Sequence, residues 1–123
     1  MFVARFAPLL GLIAAAPALS QPLPTVAIAL HSYSYAPSPI RLQAGRPVRL
    51  FFTNAASKGH DFTARKFFAS SRILSGTVPG GEVDLRPGQS SSVDLIPSRG
   101  RYQVHCGHFM HKQLGMKSEI IVE

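Results

Sequence analysis

From Val26 onward the chain places hydrophobic residues at every second position in short runs. Val26, Ile28 and Leu30 alternate with small residues, Ile40 and Leu42 precede the turn Ala44-Gly45-Arg46-Pro47, and Val48, Leu50 and Phe52 resume the alternation just after it. Phe62 lies in a run from about His60 to Ala64. Val83 and Leu85 lead into Arg86-Pro87-Gly88-Gln89, Val93 and Leu95 into Pro97-Ser98-Arg99-Gly100, and Tyr102, Val104 and Cys106 follow that turn. Ile120 and Val122 form the last run. A period of two aims one set of side chains at one face of a strand. Seven or eight such strands punctuated by Pro, Gly, Ser and Asn predict an all-β Greek-key β-sandwich. Only Arg65 to Leu74 breaks the alternation, and a short helix near 65–74 is expected there, carrying Phe67 and Phe68 inward across one end of the sandwich.

The first twenty residues are of another kind. Arg5 is followed by an apolar run through Leu9, Leu10, Leu12, Ile13 and Ala14 to Ala16, then by the small residues Ala18 and Ser20. This is the pattern of a secretory signal peptide over 1–20, with cleavage after Ser20 and a mature domain over 21–123. The run is broken by Pro8 and Pro17 and is short of the about 20 apolar residues a permanent span requires. A periplasmic or secreted location follows.

With 123 residues, 46% of them hydrophobic, there is room for one domain and one core. The 13 Lys and Arg against 6 Asp and Glu make the surface basic. Outside the cytoplasm this argues against nucleic acid and for acidic partner proteins or an anionic membrane surface, although solubility accounts for it equally well. Cys106 is the only cysteine, so no internal disulfide can form. In an oxidising compartment a lone thiol is inert in the core, paired with another chain, catalytic, or held as a metal ligand.

The densest chemistry runs from Tyr102 to Met116, where Cys106, His111 and Met116 are spaced C-x4-H-x4-M on a loop between two strands. Thiolate, imidazole and thioether suit copper in both oxidation states, whereas calcium or magnesium would want oxygen. His60, at the start of a strand after a polar turn, supplies a second imidazole. A trigonal Cys and two His with a long axial Met is the arrangement of a type 1 copper centre.

These segments resemble the cupredoxins, the plastocyanin, azurin and auracyanin family of blue copper proteins. Tyr35 to Gly45 is similar to the family's second strand and the turn after it, Phe52 to Phe62 to its first histidine segment, and Gly100-Arg101-Tyr102 through Cys106, His111, Gly115 and Met116 to its copper loop. The resemblance spans about Val26 to Glu123. It implies one copper ion, one-electron transfer and a redox partner such as a cytochrome or oxidoreductase, with a monomer expected. Asp61 and Gly107 depart from the pattern, because members often carry Asn after the first histidine and a small hydroxyl residue after the cysteine. The two ligand segments therefore cannot be tied in the usual way.

Several alternatives stay open. His108 offers copper another imidazole, and Met110 another thioether, although Gly115 permits the turn that would bring Met116 back over the metal. Zinc in a closed site of His60, Cys106, His108 and His111 is the other metal reading. His31 in its polar turn and His105, which alternation points away from Cys106, receive no role. Functionally, a carrier whose electron leaves by His111, bordered by Phe109, Met110 and Leu114 and ringed by Lys58, Lys112 and Lys117, stands against a module that captures or delivers copper. A metal-free interaction module is a third reading. Catalysis is not expected, since no nucleophile, base and orienting group converge by spacing.

Overall fold

The computed structural model describes residues 3–5, 7, 8, 11 and 22–123. The expected cleavage point at Ser20 and Gln21 lies outside the described residues, as does most of the leading segment. Among the described residues ten strands form two five-stranded sheets. In chain order they are β1 (Thr25–His31), β2 (Ser34–Ala36), β3 (Ile40–Leu42), β4 (Val48–Asn54), β5 (His60–Thr63), β6 (Arg72–Ser75), β7 (Glu82–Leu85), β8 (Ser90–Ile96), β9 (Gly100–His105) and β10 (Lys117–Val122). One sheet runs β2-β1-β4-β8-β6 and the other β3-β10-β9-β5-β7. The pairs β1–β4 and β3–β10 are parallel and the rest antiparallel, as in a Greek-key sandwich.

The alternating residues named above meet between the sheets. Ile28, Leu30, Leu50, Phe52, Val93 and Leu95 of the first sheet bury against Phe62, Val83, Leu85, Val104, Ile120 and Val122 of the second. Phe52 and Phe62 join the layers with ring centroids 4.8 Å apart. Each side chain fully buried in this way contributes about 1.5–3 kcal/mol of transfer free energy. That stiffness holds the ends of β5 and β9, where the site is built.

The segment at 65–74 is only partly helical. Helix α1 covers Arg65–Ser70 and does bury Phe67 and Phe68. It ends because the hydroxyls of Ser70 and Ser71 donate to the carbonyl of Phe67, at 3.0 and 2.7 Å, and Ser71 turns extended. Arg72–Ser75 then pairs with β8 as an edge strand. All four of its residues are exposed and a register shift falls between Ile73 and Ser75, so no alternation marks it as a strand. This edge strand and the three-residue β2 account for the excess over the seven or eight strands expected. Among the described residues no helix is long and apolar enough to cross a membrane.

Candidate metal centre

His60 opens β5 at the end of the sandwich, fully buried by neighbours from both sheets. Cys106 follows β9 on the adjoining strand, also buried. The loop after it carries His111 back over the same end. Its return is fixed by backbone bonds: Cys106 N–H donates to the Met116 carbonyl at 3.0 Å, and Met116 N–H to the His111 carbonyl at 2.9 Å. Gly115 completes the turn at φ +100°, a conformation that a residue with Cβ adopts only under strain.

Three donor atoms converge as a result. Nδ1 of His60 and Nδ1 of His111 are 3.1 Å apart, and Sγ of Cys106 lies 3.5 Å from His111 Nδ1 and 4.0 Å from His60 Nδ1. A triangle with these sides has a centre about 2.1 Å from every corner, which matches metal bonds of about 2.0–2.3 Å to imidazole nitrogen and thiolate. The residues therefore fit a metal ion, and one thiolate with two imidazoles is the donor set of a type 1 copper site. Ser32 Oγ sits 2.8 Å from Nε2 of His60, which turns the Nδ1 edge toward the triangle. Tyr33 packs against the His111 ring at 4.9 Å.

The surroundings favour neutral imidazoles. Burial lowers the pKa of His60, reinforced by His111 and His108, and burial followed by His108 lowers that of His111. Burial pushes the Cys106 thiol up, partly offset by the N–H groups of Asp61 and His108. A bound cation acts in the opposite direction and deprotonates a coordinating thiol.

The two candidate methionines differ in burial and in backbone bonding. Met116 is fully buried at the start of β10 and clasped to both Cys106 and His111 through its backbone, while Met110 is 46% exposed. His108 is not one of the three converging donors. Its Nε2 lies 3.1 Å from Asp84 Oδ1, and its ring stacks on that of His111 at 5.4 Å. His105 pairs with Thr63 across β9 and β5, and His31 is exposed.

The tie between the ligand segments exists, made by atoms that spacing alone did not indicate. Asp61 Oδ1 accepts from the backbone N–H of Gly107 at 2.8 Å and from the Thr63 hydroxyl at 2.7 Å, while its own N–H donates to Cys106 Sγ at 3.4 Å. A carboxylate needs only donors, and the Gly107 amide supplies one without any hydroxyl side chain. Tyr35, buried below, donates to the Asp61 carbonyl at 2.6 Å.

A two-sheet Greek-key sandwich with His, Cys and His donors at one end defines a blue-copper type of architecture. The family model for the cupredoxin-like domain matches residues 4–122, and the chain belongs to that family. Among solved structures it is similar to dithionite-reduced auracyanin from Roseiflexus castenholzii, at 18% identity and TM-score 0.61 over 80% of this chain and 96% of that one. Auracyanin B is similar at 20% identity and TM-score 0.59, over 84% and 91%. A multicopper oxidase from Campylobacter jejuni matches at 12% identity and TM-score 0.64, over 83% of this chain but 30% of the oxidase. These likenesses are in fold. No curated protein matches the sequence.

Proposed function

We propose that this chain is a periplasmic type 1 copper protein, with His60, Cys106, His111 and Met116 as ligands, that carries one electron at a time. The observation that carries the reading is the buried triangle of two Nδ1 atoms and one Sγ, held by two strands and a loop rather than by one mobile segment. Copper, when bound, supplies the Cu(I)/Cu(II) couple. The protein's part is to keep the donors in one geometry, so that little reorganises when the charge changes. Ser32 orients His60, Asp61 joins the two ligand segments, and Met116, fully buried and bonded through its backbone to Cys106 and His111, would supply the thioether.

The outer surface suits brief docking. Phe109, Met110 and Leu114, 89%, 46% and 55% exposed, lie on the same loop as the half-buried His111, and Lys58, Lys112 and Lys117 are exposed. Weak redox encounters bury less than about 1,200 Å², and a small apolar patch with a basic rim fits an acidic redox partner. A capture-and-delivery role would call on His108, yet His108 Nε2 is engaged by Asp84. Carrier rather than copper handler is therefore the reading we adopt.

The deciding experiment is the visible spectrum of the mature domain, residues 21–123, with Cu(II). An intense thiolate charge-transfer band that bleaches reversibly on reduction is expected. A pale spectrum with d-d bands alone would refute the carrier. Intact mass of the exported protein checks the start at Gln21, and retention of Met1 in the membrane fraction would overturn that assignment.

A further inference from the structure

The two imidazoles of the triangle are oriented by different means. Ser32 Oγ, 2.8 Å from Nε2, fixes the ring of His60 from behind. His111 has no such anchor. Its Nδ1 meets only the other two donors of the triangle, and its Nε2 has no hydrogen-bond partner among the described residues. It is also half-buried on a loop, whereas His60 is fully buried on a strand. What holds the His111 ring is contact with other rings, which attract one another at centroid separations of about 4.5–7 Å. Tyr33 touches it at 4.9 Å, tilted by 57°, and His108 stacks on it at 5.4 Å with the planes only 9° apart. A near-parallel neighbour resists rotation about the Cβ–Cγ bond, because turning the ring destroys the overlap.

His108 can serve in this way because it is itself firmly seated. The His111 N–H donates to the His108 carbonyl at 3.2 Å, closing a turn that brings the two residues together. Nε2 of His108 donates to Asp84 Oδ1 at 3.1 Å, since a carboxylate only accepts. On another side the ring lies close to Gly59, where an added Cβ would stand 3.3 Å from His108 Cε1. Asp84 belongs to β7, in register with Asp61 of β5, so the anchor comes from the sheet rather than the loop. We propose that His108, held by Asp84, is the positioning residue of His111 and sets its ring in one orientation before any metal arrives. The inference rests on the reading of His111 as a ligand, and it asks no metal bond of His108.

Carbon relaxation of the His111 ring in the metal-free protein tests this, together with competition titration of copper. In wild type the ring should be as rigid as the backbone. His108→Ala should free it on the picosecond to nanosecond timescale and lower copper affinity about two- to tenfold, the range one aromatic contact is worth. His108→Phe, which keeps a flat ring without the nitrogen, should restore the rigidity. Asp84→Ala should loosen the ring when His108 is present and change nothing further in His108→Ala. A His111 ring equally rigid in His108→Ala and wild type, or already mobile in wild type, would overturn the proposal. So would His108→Phe behaving as His108→Ala, or an Asp84→Ala effect that persists in full without His108. Because the ring is followed without metal, a wild type lacking the charge-transfer band would refute the carrier and leave this result standing.

Discussion

Oδ1 of Asp61 accepts the backbone N–H of Gly107 at 2.8 Å and so fastens the residue after one imidazole donor to the residue after the thiol. The bond spans 46 residues of sequence and bridges β5 to the metal-site loop. Asn at this position retains an oxygen acceptor, whereas Ala does not. Asp61→Asn should therefore keep a well-formed copper centre. Asp61→Ala should lose about 10–100-fold in copper affinity, the usual consequence of removing a group that orients metal ligands. Competition titration of both variants measures this, and equal affinity for the two would remove the role assigned to the tie.

Cys106→Ser tests the thiolate itself. Sγ is one corner of the donor triangle, and a hydroxyl neither ionises near neutral pH nor gives the charge-transfer transition of a copper thiolate. The visible band should disappear altogether, with residual copper held by His60 and His111. An unchanged band would end the type 1 reading.

Met116→Leu separates the two methionines. Loss of a weak axial donor disfavours Cu(II) more than Cu(I), so the reduction potential should rise while copper is retained. Met116 is fully buried, yet Leu conserves volume and should cost less than about 1.5 kcal/mol of stability. Met110→Leu, at an exposed position, should leave the potential nearly unchanged. Voltammetry of the two variants decides, and interchanged effects would move the axial role to Met110.

How legible all this is in the sequence depends on what each residue's signal rests on. His60, Cys106 and His111, which the fold brings together, and the proposed ligand Met116 are rare residue types at a spacing that a loop between strands can close, so the candidate constellation and the sandwich around it are legible in the pattern. Strand β6 could not be, because an edge strand with four exposed residues carries no burial alternation. Helix α1 stops at Ser70 on side-chain bonds from Ser70 and Ser71 to a carbonyl, a local competition that hydrophobic pattern does not encode. The tie through Asp61 was hidden for a similar reason. Its partner is a backbone amide, and Gly107 announces no hydrogen bond by its identity. The pairing of Asp61 with Asp84 depends on register between strands about twenty residues apart, which only the folded chain specifies.

Away from the metal site, Arg49 of β4 and Asp94 of β8 form a cross-strand ion pair whose pH dependence is open to test. Arg49 Nε donates to Asp94 Oδ1 at 2.8 Å and a second guanidinium nitrogen to Oδ2 at 3.0 Å, a bidentate geometry. The hydrogen bond from Arg49 holds the Asp94 carboxyl below its ordinary range. A carboxyl with a lower pKa folded than unfolded stabilises the native state above its unfolded value, about 3.9. That contribution is lost as the pH falls from there through the folded value. Arg49 is half-exposed, so the effect should be small and screened by salt. Asp94→Asn should accordingly lower the midpoint of thermal unfolding slightly at pH 7 and low ionic strength, and the gap from wild type should narrow progressively as the pH falls below about 3.9. Calorimetry of both proteins across that range supplies the test. A gap that persists undiminished in acid would show that Asp94 acts through packing rather than charge.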